Sequence, residues 1–167
     1  MRMPLNKYLL LTVVLAFLMT ACQNDGSLPV RPGSPDTVPP LPTLHPNAVA
    51  LGQQVYAQHC AACHGPELEG EPNWQEQNED RSFRAPPHDA SGHTWHHSDA
   101  VLIEATRLGG SRLPDNIGGT SNMPAFADSL SDEEILAVLT YIKSSWPDNI
   151  RQIQWEATVR DQAEVTE

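Results

Sequence analysis

Cys60-Ala61-Ala62-Cys63-His64 is the stretch on which the reading of this chain turns. Two thiols stand three positions apart and an imidazole follows the second directly. The residues leading into them have helical spacing: Leu51, Val55 and Tyr56 recur on one face, and Asn47 is a candidate N-cap. A dithiol of the redox-exchange kind would need a strand-helix-strand context, and none is visible. A structural zinc site would need further ligands at paired spacing, and the third cysteine, Cys22, lies far upstream.

A chance match is the third alternative, and the compartment and helix context weigh against it; the chemistry that this motif suits is covalent attachment. Each thiol can form a thioether to one vinyl group of haem, which leaves His64 beneath the iron with its imidazole free to coordinate. The expected cofactor is one covalently bound haem c, held by Cys60 and Cys63, with His64 as an axial ligand.

Outward from this motif the chain reads as all-α. A second helix is expected from Ser98 or Asp99 to Leu108, with Val101, Leu102, Ala105 and Leu108 on its apolar face and Gly109 at its C′ position. A third begins at the capping box Ser131-Asp132-Glu133-Glu134. Its stripe is Ile135, Val138, Leu139 and Ile142, and Pro147 closes it. Residues 149–158 read as a short extra helix packing Ile153 and Trp155. Residues 65–97 carry few aliphatics and much Pro, Gly, Asn and His. A loop of that length fits a compact domain when a bound group supplies part of the core.

The N-terminal segment sets the compartment. Arg2 and Lys7 precede an apolar run, Leu9 to Leu18, of about ten residues, which is too short to span a bilayer and has the form of a signal-peptide core. The ending Leu18-Met19-Thr20-Ala21-Cys22 resembles the lipobox of bacterial lipoproteins, with Met19 where leucine is commonest. The resemblance implies cleavage before Cys22 and lipidation of that residue. Each buried methylene of an acyl chain adds about 0.8 kcal/mol of membrane affinity, so more than one chain anchors stably. Between Gln23 and Pro46 stand seven prolines, which lack an amide donor and favour polyproline II. This stretch is expected to stay outside the core as a semi-rigid tether of about 3 Å per residue. The domain organisation is therefore 1–21 signal peptide, 22–46 lipid-anchored linker, 47–148 folded domain and 149–167 C-terminal extension. The location implied is an exported one, at a bacterial membrane, facing the periplasm or the cell exterior.

The formal net charge is −11, and removing Arg2 and Lys7 leaves 8 basic against 21 acidic residues, a net of −13. Such a chain repels nucleic acid and anionic lipid. It suits redox protein partners that carry a basic docking patch.

The run Gly52-x-x-x-Tyr56-x-x-x-Cys60-Ala61-Ala62-Cys63-His64-Gly65 resembles the first helix and haem site of class I cytochromes c, and Leu139-Thr140-Tyr141-Ile142-Lys143 resembles their last helix. The resemblance covers residues 47–146. It implies the cytochrome c fold, three to four helices wrapped around one haem, with Gly52, Tyr56 and Tyr141 where those two helices cross. It also implies the sixth iron ligand: Met123, in Ser121-Asn122-Met123-Pro124-Ala125-Phe126, stands in the loop before the last helix. Met123 is the sole methionine left once Met1, Met3 and Met19 depart with the signal. The family's proline carbonyl, which accepts a hydrogen bond from the ligating histidine, maps onto Pro86. His88 then stands where an aliphatic residue is usual.

The run His93-Thr94-Trp95-His96-His97 is a candidate to close the haem edge, with Trp95 or a histidine bonding a propionate. It is also a candidate for copper or zinc, or for a second histidine ligand. The function expected is single-electron transfer in a respiratory or related chain, by a carrier rather than an enzyme. The alternative is a haem enzyme or sensor for peroxide, oxygen or nitric oxide, with a displaceable Met123.

Overall fold

The structure, a computed structural model, describes residues 38–114 and 116–165. The apolar run Leu9–Leu18, Cys22 and the tether up to residue 37 lie outside the described residues.

Helix α1 spans Pro46–His59. Its N-cap is His45, in extended conformation, and not Asn47. The reason is Pro46: the first helical position has no use for an amide donor, and proline's fixed φ is already helical there. The backbone turns at Cys60, and a single further turn, α2, covers Ala61–His64. Helix α3 is Asp99–Leu108, capped by Ser98, whose Oγ accepts from the Val101 amide. Helix α4 is Asp132–Ser144, and its capping box between Ser131 and Glu134 is complete in both directions. Helix α5 is Asp148–Val165. Single turns of 3₁₀ helix lie at Thr94–His96 and Gly109–Arg112. Extended pairing among the described residues is confined to two isolated bridges, Gln77 with Phe83 and Ser82 with Thr120. The fold is all-α.

The core forms where α1 meets α4. Val55 and Tyr56 pack against Ile135, Val138, Leu139 and Ile142, which are buried as a stripe on α4. The crossing is close because Gly52 lacks a side chain: a Cβ there would stand 1.9 Å from the Ala137 carbonyl oxygen. One turn on, the Tyr56 and Tyr141 rings meet at 5.4 Å.

Two expectations are corrected at the C-terminal end. Helix α5 runs to Val165 rather than stopping at residue 158. Its packed face is polar: Gln154 and Thr158 are buried while Ile153 is exposed. Gln154 Nε2 donates to Asp99 Oδ1 (2.6 Å) and to the His97 carbonyl (3.2 Å), and Thr158 Oγ1 accepts from the Asp99 amide (3.0 Å). A helix held by such bonds carries no apolar stripe for periodicity to detect.

The end of the proline-rich stretch is also not free of the domain. The Trp155 indole donates to the Pro39 carbonyl at 2.8 Å, and Arg151 to the Pro42 carbonyl at 2.7 Å. Proline lacks a donor but keeps a carbonyl acceptor, and α5 uses it.

Candidate functional site

The helices enclose a cavity of about 720 Å³ whose walls include Cys60, Cys63, His64 and Met123. That volume suits a cofactor-sized group. The apolar wall comes from Leu102 of α3, Phe126, and Val138, Leu139 and Ile142 of α4.

The turn at Cys60 places both thiols. Cys60 is half-buried and Cys63 exposed, and both are unpaired. Burial, with Cys63 adding to it, pushes the Cys60 thiol up to about 11. Such a thiol is the opposite of the low-pKa thiolate that runs disulfide exchange.

The same turn buries His64. Its Nδ1 lies 2.8 Å from the Pro86 carbonyl oxygen. A carbonyl can only accept, so Nδ1 carries the proton and Nε2 keeps the free lone pair, the form that ligates iron. Burial lowers the proton affinity of the ring, with the Pro86 bond and then Glu71 acting against it. Pro86 is held in register by the chain around it. The Glu71 amide donates to the Ala85 carbonyl (2.9 Å), and Gly70 N–H donates to the His64 carbonyl (2.8 Å). The Tyr56 hydroxyl donates to the carbonyls of His64 (3.2 Å) and Gly65 (2.9 Å), which ties the motif to α1.

Met123 is half-buried in a loop that presses on the end of α3. Gly110 N–H donates to the Met123 carbonyl at 2.9 Å. At Gly109, with φ +56°, a Cβ would stand 2.3 Å from the Pro124 oxygen and 2.5 Å from the Met123 oxygen. The loop is further fixed by Phe126 N–H, which donates to the carbonyls of Thr106 (3.2 Å) and Arg107 (3.1 Å).

The histidine run divides. His93 and His97 line the cavity with their rings 5.6 Å apart, and His93 stacks on Trp74 at 5.2 Å. His96 stacks on Trp95 instead, at 3.7 Å. Trp95 packs against the core and is not on the cavity wall. Its indole N–H is buried and has no partner among the described residues. Among the described residues no group of three or more His, Cys, Asp or Glu side chains is placed to hold a metal ion. The run therefore gains no support as a second metal site.

Three contacts at the site were not foreseen from the sequence, which placed Gly109 only as the end of its helix. His88 lies against His64, its carbonyl accepts from the Trp146 indole at 2.7 Å, and Gly109–Gly110 grips the Met123 loop. Only the double glycine carried a signal, as a place where chains approach closely.

The donor set fits haem. Two thiols, an imidazole with Nε2 free and a thioether line one largely apolar cavity. No curated protein and no solved structure matches the chain. A sequence profile of the family described as Cytochrome c matches residues 49–146, more than half of it. That span holds both thiols, His64, Pro86, Met123 and helices α2 to α4, and the chain thus belongs to the cytochrome c family, whose domain carries covalently bound haem c and works by haem-based electron transfer.

Proposed function

We propose that this protein is a lipid-anchored, monohaem cytochrome of class I that passes single electrons between redox partners outside the cytoplasm. The observation that carries the reading is the cavity on which Cys60, Cys63, His64 and Met123 converge. Bound haem would supply a one-electron iron couple.

The chain's own residues do the rest. Cys60 and Cys63 would hold the group by thioethers. His64 Nε2 and the Met123 sulfur would ligate the iron. Thioether ligation raises the reduction potential, and two resident ligands close the iron to substrates. Leu102, Val138, Leu139 and Ile142 line the cavity and would shield the group from water.

Anchoring rests on Cys22 and the lipobox-like residues before it, Leu18-Met19-Thr20-Ala21. The net charge of −13 after signal removal favours a partner with a basic patch, recognised by steering. Intact mass spectrometry of the denatured holoprotein tests stoichiometry and attachment. One haem should stay with the chain, on an acylated polypeptide that begins at Cys22. Cys60→Ser with Cys63→Ser should abolish retention. Retention in that double variant, or two haems per chain, would contradict the proposal.

A further inference from the structure

We propose that His88 is a positioning residue that fixes the plane of the His64 imidazole. The proposal rests on the reading of His64 as an axial ligand.

The Pro86 hydrogen bond holds one atom of the His64 ring. It leaves the ring free to pivot about the Nδ1···O line. The His88 ring removes that freedom. It lies face to face with His64, centroids 4.0 Å apart and planes 22° from parallel. An aliphatic side chain could fill the same space but would present no flat face.

His88 can act as a stop because it is itself held at several points. Its amide donates to the Leu68 carbonyl at 2.8 Å. Its own carbonyl accepts from the Trp146 indole at 2.7 Å. Its Nδ1 lies 2.9 Å from Thr94 Oγ1, and Tyr56 closes on its edge at 6.3 Å and 74°. The Thr94 hydroxyl has one hydrogen and points it at the Pro87 carbonyl (3.4 Å), so it accepts the proton of His88 Nδ1. Orientation thus passes from Trp146 and Thr94 through His88 to His64. Outer groups that orient a ligand in this way also set the electronic symmetry at the metal.

The test is the electron paramagnetic resonance of the oxidised holoprotein, with proton resonances of the haem methyl groups as a second readout. Three variants are compared with the natural chain. His88→Leu keeps volume without a face, His88→Phe keeps a flat ring without the Thr94 bond, and Thr94→Val releases the bond alone. The rhombic splitting and the methyl shifts should move in His88→Leu, stay near the natural values in His88→Phe, and move less in Thr94→Val. Thermal midpoints should fall in all three. Natural splitting in His88→Leu, or equal shifts in the Leu and Phe variants, would overturn the proposal while leaving His64 as ligand. A natural spectrum that survives His64→Ala would overturn the ligand reading and the proposal together.

Discussion

The Pro86 carbonyl oxygen stands 2.8 Å from Nδ1 of His64, and this contact decides which ring nitrogen faces the cavity. The acceptor belongs to the backbone. Pro86→Ala should therefore leave the axial-ligand spectrum of the holoprotein nearly unchanged and lower stability by about 0.5–1 kcal/mol, through added freedom of the unfolded chain. Denaturant melts and the oxidised spectrum check this together. Loss of the low-spin spectrum in Pro86→Ala would show that the ring, and not the carbonyl, does the orienting.

The α1–α4 crossing has no room at Gly52. A methyl group there meets the Ala137 carbonyl at 1.9 Å and Tyr141 Cβ at 2.8 Å, and the first of these is backbone. Gly52→Ala should cost at least about 1–3 kcal/mol through overpacking, in spite of alanine's better helix propensity. A urea midpoint equal to that of the natural protein would refute the close crossing.

Gly109 holds φ +56° and ψ −142°, a region that side chains other than glycine's avoid. Gly109→Ala should cost about 1–3 kcal/mol in backbone strain and also displace the Met123 and Pro124 carbonyls. The spectral effect separates this from plain destabilisation. A fraction of the oxidised protein should turn high-spin at temperatures well below the melt. A variant that melts early yet stays fully low-spin would free Met123 from dependence on this contact.

Stability should rise with pH between about 5 and 7. Burial lowers the proton affinity of His93 and His97, with neighbouring imidazoles adding to it and Arg112 acting on His97 as well. Below the ordinary histidine pKa of about 6.5 the unfolded chain then binds more protons than the folded one, so stability climbs as pH rises. Thermal midpoints of the holoprotein across this range check the sign. His97→Asn should flatten the slope. A midpoint that falls with rising pH, or a slope indifferent to His93→Asn and His97→Asn, would count against it.

Gln154 binds α5 to the start of α3 and to the histidine loop at once. Gln154→Ala should cost about 1–3 kcal/mol, since it removes the buried donor of the bonds to the charged Asp99 carboxylate and the His97 carbonyl. Hydrogen exchange of amides in 93–99 should quicken in the variant. Unchanged exchange there would mean that α5 stands apart from the loop.

Much of this arrangement is legible in the sequence alone. Ile135, Val138, Leu139 and Ile142 announced α4 by their spacing, and Ser131 and Glu134 announced its start, because apolar periodicity and capping are local signals. The family profile over residues 49–146 accords with the run from Gly52 to Gly65. Local pattern failed where tertiary contacts decided. Nothing in the composition of residues 148–165 distinguishes a docked helix from a solvated one, because its buried side chains are Gln154 and Thr158. The link from His64 to His88 joins residues 24 positions apart through a loop without periodicity, so its stacked geometry could not be read from spacing. The start of α1 was misplaced because Asn47 is a good cap in isolation, while Pro46 before it already sits in helical geometry.

The absorption spectrum of the oxidised holoprotein, natural and Met123→Ala, tests the central claim most directly. Ligation by His64 and Met123 predicts a low-spin ferric spectrum with the weak long-wavelength band of sulfur-to-iron charge transfer, and loss of that band in Met123→Ala with a lowered reduction potential. Absence of the band from the natural protein, or its survival in Met123→Ala, would contradict the account.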